Sequence, residues 1–133
     1  MRIIALRGGN SCGKTTTLNL VYDDIINKNG GVSTSKKQEG GDKKDFSDIV
    51  NYKGLKIAFF TMGDFSIHTI NAINKYDGLG VDVLVLASNI KFVKPIRLIM
   101  SYTHNLINKT IASNHSLEAT TNQSDAAIIF SMI

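Results

Sequence analysis

The sequence predicts an α/β domain with a mostly parallel sheet, and three observations carry that reading. Short apolar runs rich in branched residues, as strands buried on both faces require, occur at residues 2–6, 55–60 and 81–87. Segments with apolar residues at helical spacing lie between and after them, so strands and helices alternate along the chain. The 133 residues suffice for a five-stranded sheet with helices on both faces as a single domain, 1–133. They are too few for an added substrate domain.

The first run, Arg2-Ile3-Ile4-Ala5-Leu6, leads into Gly8-Gly9-Asn10-Ser11-Cys12-Gly13-Lys14-Thr15, a complete match to the spacing G-x-x-x-x-G-K-[ST]. Leu18, Val21, Ile25 and Ile26 then recur at helical spacing, and Asn29-Gly30-Gly31 supplies a stop. From 28 to 45 the chain is polar and Gly-rich, with no apolar period, and is expected to be a flexible loop, either functional or merely connecting. Phe46, Asp48, Val50 and Tyr52 alternate with their neighbours, Lys53-Gly54 makes a two-residue turn, and 55–60 follows, so 46–60 reads as a hairpin whose first strand is an antiparallel edge.

After Thr61-Met62-Gly63-Asp64 a helix is expected over 65–76, with Ile67, Ile70 and Ile73 on one face. Asp77-Gly78-Leu79-Gly80 turns the chain into the buried strand 81–87. Pro95 suits a first helical position, which predicts a helix from there to about residue 106. A weak last strand at 109–113 and a final helix over about 121–132 complete the pattern.

The Gly-rich loop points to phosphate chemistry. A loop at a helix start aims several backbone N–H groups and the positive end of the helix dipole at one spot, which suits a nucleoside polyphosphate. Lys14 would reach the β- and γ-phosphates, and the Thr15 hydroxyl would hold Mg²⁺. On these residues and their strand-loop-helix setting the chain resembles the P-loop nucleoside triphosphatase superfamily. It is similar to short bacterial or mobile-element ATP-binding proteins. The resemblance implies a three-layer P-loop domain with strands ordered edge strand, 55–60, 2–6, 81–87, 109–113. It implies a nucleotide site formed by Gly8, Gly9, Asn10, Ser11, Cys12, Gly13, Lys14 and Thr15, with Thr16 as a second helix-start Thr. Lys14 is expected to act in catalysis.

Phosphoryl transfer depends on positioning, Mg²⁺ and charge neutralisation, so an acid is expected at the end of the strand beside the loop. That strand ends Phe59-Phe60-Thr61-Met62-Gly63-Asp64. Asp64 is the carboxylate there, and two roles are open to it: a metal and catalytic role shared with Lys14 and Thr15, or the N-cap of the following helix. Gly63 could let the backbone approach a phosphate or simply make a tight turn. Lys91, Lys94 and Arg97 either form a lid over transferred phosphate, as in P-loop kinases, or face solvent. The guanine-reading pattern Asn-Lys-x-Asp is missing from 87–92, which favours ATP over GTP.

Two function classes are expected from this: Mg-dependent ATP hydrolysis or phosphoryl transfer to a small-molecule acceptor, as in a small-molecule or nucleotide kinase, or a nucleotide-gated module that binds a protein partner with little turnover. The net charge of +4 comes from scattered lysines and reads as solubility more than as a nucleic-acid footprint. The single Cys12 excludes an internal disulfide; beside Lys14 it is either reactive or a small residue at a variable position. His68, His104 and His115 show no ligand spacing. With no secretory signal and no apolar stretch of membrane-spanning length, the expected location is the cytoplasm, with no membrane partner.

Overall fold

The structure, a computed structural model, describes residues 1–133 throughout. In chain order its elements are β1 (Arg2–Gly8), α1 (Lys14–Asp23) running on into a π-helical turn (Asp24–Lys28), β2 (Val32–Ser33), β3 (Lys37–Gln38), β4 (Phe46–Tyr52), β5 (Leu55–Phe60), α2 (Ser66–Gly78), β6 (Val83–Asn89), α3 (Lys94–Met100), β7 (Thr103–Asn108) and α4 (Glu118–Met132). The seven strands make one mixed sheet in the order β2-β4-β5-β6-β1-β7, with β3 also paired to β4. β5, β6, β1 and β7 are mutually parallel. β4 is antiparallel to β5, and β2 and β3 are antiparallel to β4.

The two-residue side-chain period of β1 divides the core. Ile4 and Leu6 join Ile57, Phe59, Val83 and Val85 on the face covered by Leu18 and Val21 of α1 and Ala126 and Ile129 of α4. Ile3 and Ala5 join Ala58, Leu84 and Leu86 on the other face, under Ala72, Ile73 and Tyr76 of α2 and Ile99 of α3. The sheet is thus the middle of three layers. No helix is long and apolar enough to cross a membrane.

The hairpin expected at 46–60 is present, with Tyr52 paired to Leu55 across Lys53 and Gly54. Both turn residues are left-handed, with φ of 49° and 78°, as a type I′ turn requires. Pro95 lies in the first turn of α3, where its missing N–H leaves no helical bond unmade.

Four expectations need correction. The sheet has seven strands, because residues 32–33 and 37–38 of the expected flexible loop pair with β4, so β4 is not the outermost strand. The expected order put 2–6 beside 55–60; instead β6 stands between β5 and β1. All seven β6 residues are buried, as befits a strand with neighbours on both sides and helices on both faces. The last strand is 103–108, not 109–113, and α3 is correspondingly short. β7 forms the open edge, where Thr103, Asn105 and Asn108 are tolerated, and this polarity disguises it. Finally, α2 buries Thr69, Ala72, Ile73 and Tyr76, while Ile67 is 59% exposed.

Gly63 has a packing role. A Cβ there would lie 2.7 Å from the carbonyl oxygen and 2.9 Å from the carbonyl carbon of Ala87, so the chain leaving β5 passes directly against the backbone of β6. Backbone cannot move aside as a side-chain tip can. Gly63→Ala is expected to lower the stability by about 1–3 kcal/mol, in the range of overpacked cores, read as a reduced urea midpoint.

Candidate functional site

The site is built where β1 ends and α1 begins. Two glycines make this connection possible. Gly13 caps α1 with φ +93°, and a Cβ there would meet the Asn122 amide oxygen at 2.6 Å; at Gly8 a Cβ would meet Cys12 Sγ at 2.7 Å and Lys109 Cβ at 3.1 Å. Ser11 is also left-handed, with φ 55°. α1 has no side-chain cap and no acidic residue in its first turn, which leaves its first N–H groups directed into the loop without a protein acceptor.

Lys14 folds back into this concavity. Its Nζ donates to the carbonyl oxygens of Gly8 (3.1 Å) and Gly9 (2.5 Å) and lies 3.9 Å from Cys12 Sγ, and the residue is buried. Asn89 of β6 donates from Nδ2 to Asn10 Oδ1 at 2.7 Å, tying the loop to the next strand. Thr17 donates to the Gly13 carbonyl at 2.7 Å, and its Oγ1 lies 3.3 Å from Asn122 Oδ1 of α4.

Beside the loop lies Asp45, the last residue of the polar, Gly-rich segment 28–45. Asp45 Oδ1 accepts hydrogen bonds from Thr15 Oγ1 (2.9 Å) and Thr61 Oγ1 (3.0 Å), and Asp45 is only 5% exposed. Thr61 is itself fixed across the hairpin by the Phe46 N–H, 2.9 Å from Oγ1. Burial pushes the Asp45 carboxyl up; the two hydroxyls oppose this, and the charges of Asp42 and Asp64 reinforce it. The signal that could have found Asp45 is the hairpin register. Tyr52 opposite Leu55 and Ser47 opposite Phe60 bring the residue before β4 alongside the end of β5.

These groups open into a cleft of about 680 Å³. The loop residues Gly9, Asn10, Ser11, Cys12, Gly13, Lys14, Thr15 and Thr16 form its floor, Asp42, Lys44, Asp45, Thr61, Gly63 and Asp64 one wall, and Ile111, Ala112, Glu118, Thr121 and Asn122 the other. The structure places Asp64 in a wall of the cleft that the loop floors, although its strand is separated from β1 by β6. It does not make Asp64 a helix cap: Phe65 occupies that position, with no side-chain hydrogen bond, and the exposed Asp64 carboxylate accepts none. Lys91, Lys94 and Arg97 are exposed and do not line the cleft. Arg7 turns toward β6, donating to the Ile90 carbonyl at 3.0 Å.

The second wall was not anticipated. It is held by a buried ion pair: Asp125 accepts from Lys109 Nζ at 2.9 Å, from the Thr110 N–H at 2.8 Å and from Thr110 Oγ1 at 2.7 Å.

No group of three or more His, Cys, Asp or Glu side chains is arranged to hold a metal by itself. Mg²⁺ is commonly bound through one or two carboxylates together with substrate phosphates, and the Thr15 hydroxyl and the carboxylates that line this cleft are oxygen donors of that kind. Compared with known proteins, the chain matches no protein-family model and has no significant match among curated proteins.

Proposed function

We propose that this chain is a P-loop protein that binds Mg-ATP in the cleft above the 8–15 loop, and that it hydrolyses the nucleotide or transfers its terminal phosphoryl group. The observation that carries the reading is the Lys14 ammonium seated within the loop concavity, at the start of a helix with no side-chain cap and on the floor of an open cleft. The first N–H groups of α1 bind the phosphate chain, and Lys14 exchanges its carbonyl partners for phosphate oxygens. Thr15 offers a hydroxyl oxygen to the cation, and Asp64 faces the same space. Bound Mg²⁺ supplies charge neutralisation on the phosphates. ATP is preferred over GTP because 87–92 carries no guanine-reading pattern.

A second reading, a nucleotide-gated module for a protein partner, is favoured by one observation. The basic residues 91, 94 and 97 lie outside the cleft, which leaves a kinase lid without its cations. Melting curves and ADP formation test these readings together. Millimolar Mg-ATP is expected to raise Tm more than Mg-GTP does. ADP formation above the buffer rate, with or without candidate small-molecule acceptors, supports an enzyme, and binding without ADP formation under either condition supports the module. No shift with either nucleotide would count against both.

A further inference from the structure

We propose that the carboxylate of the cation site is Asp45, delivered by the β4–β5 hairpin, with Thr61 standing at the strand end where an acid was expected. This rests on the Mg-nucleotide reading and names the residue that completes it.

Three observations single out Asp45. It is 95% buried in a wall of the cleft, so the part of its surface still open faces the space a ligand would fill. Its Oδ1 is fixed by two hydroxyls, whereas Oδ2 accepts no hydrogen bond and no Lys or Arg pairs with it, so one oxygen of a rigidly held carboxylate is free. Its partner is the one hydroxyl that the loop motif assigns to the metal. A Thr hydroxyl has a single proton; because Thr15 gives that proton to Asp45, its lone pairs are left for a cation. The carboxylate thus both orients Thr15 and offers Oδ2 beside it. Asp64 has neither property, being exposed and held by no hydrogen bond.

Asp45→Asn is the informative substitution, because the amide oxygen still accepts from Thr15 and Thr61 while the charge is lost. Mn²⁺ titrations followed by electron paramagnetic resonance, with ATP present, report the cation affinity of the complex. ATP binding in EDTA reports the loop alone. Asp45→Asn is expected to weaken Mn²⁺ by about tenfold or more with ATP binding in EDTA preserved, and Asp64→Asn to weaken it less. Equal Mn²⁺ affinity in wild type and Asp45→Asn, or a larger loss in Asp64→Asn, would overturn the assignment to Asp45 and leave the loop reading standing. Failure of wild type to bind ATP with or without metal would overturn both. Should Asp45→Asn not fold, Fe²⁺-directed backbone cleavage of the wild-type ATP complex asks the same question. Cuts beside Asp45 support the assignment, and cuts beside Asp64 alone overturn it.

Discussion

Lys14→Ala is expected to abolish nearly all nucleotide-dependent stabilisation. A ligand that binds only the folded chain raises its stability by about 2.7 kcal/mol at a hundredfold excess over Kd. The Lys14 ammonium is the cation seated among the loop carbonyls, so its removal leaves the phosphate chain to backbone donors alone. The variant also loses two charge-assisted hydrogen bonds to Gly8 and Gly9, which lowers the ligand-free stability by about 1.5–3 kcal/mol. Those effects separate in one experiment. Melting curves with and without Mg-ATP should show a lower starting Tm for Lys14→Ala and almost no increment, against a clear increment for wild type. An increment of wild-type size in the variant would place the nucleotide elsewhere.

Breaking the Lys109–Asp125 pair should cost the most in stability. The Lys109 side chain is 0% exposed and that of Asp125 3%, and the Lys109 N–H also bonds the Arg7 carbonyl at 2.7 Å, beside the 8–15 loop. Asp125→Ala strands a buried ammonium, a change worth about 3–5 kcal/mol, a large part of the stability of an ordinary domain. Replacing both partners by apolar residues of similar volume should recover most of it, and urea unfolding of the single and double variants measures the difference. Burial acts to raise the Asp125 carboxyl, but the Thr110 hydroxyl and amide and the Lys109 ammonium outweigh it and hold the group below its ordinary value of 3.8. A depressed carboxyl contributes stability above its unfolded pKa and loses it as pH falls through the folded one. Wild type should therefore weaken below about pH 4, and Asp125→Asn should weaken less steeply there.

What was legible in the sequence was local. The strand–loop–helix of 2–28, the hairpin turn at Lys53-Gly54 and the buried strand expected at 81–87 and found at 83–89 each carry their signal in contiguous residues. What was not legible depends on pairing between distant segments. The place of β6 between β5 and β1 is such a pairing, and no apolar period encodes it. β7 was hidden because an edge strand keeps Thr103, Asn105 and Asn108, and its first residues continue the helical pattern that Pro95 opens. Ile67 was misplaced because helical spacing locates an apolar stripe without saying which part of it meets the sheet.

The same division runs through the site. The loop residues 8–16 form a contiguous motif; residues 9–16 line the cleft together, and Lys14 bonds back to the Gly8 and Gly9 carbonyls. Asp45 sits at the end of a polar run among Lys43, Lys44 and Asp42, where composition suggests a solvated loop. Only the hairpin register, acting through Thr61, carries it to Thr15. Asn122 and the Lys109–Asp125 brace meet the loop from the far end of the chain. At position 13 the left-handed backbone, with φ +93°, is what calls for glycine, and the Asn122 amide adds a contact that a Cβ would have to displace.

The central claim is that one nucleoside triphosphate binds over the 8–15 loop. Isothermal titration of wild-type protein with Mg-ATP tests it most directly. One site per chain, displaced by excess pyrophosphate and missing in Lys14→Ala, is the predicted result. Absence of binding for Mg-ATP and Mg-GTP at millimolar concentration, in protein shown to be folded, would contradict it.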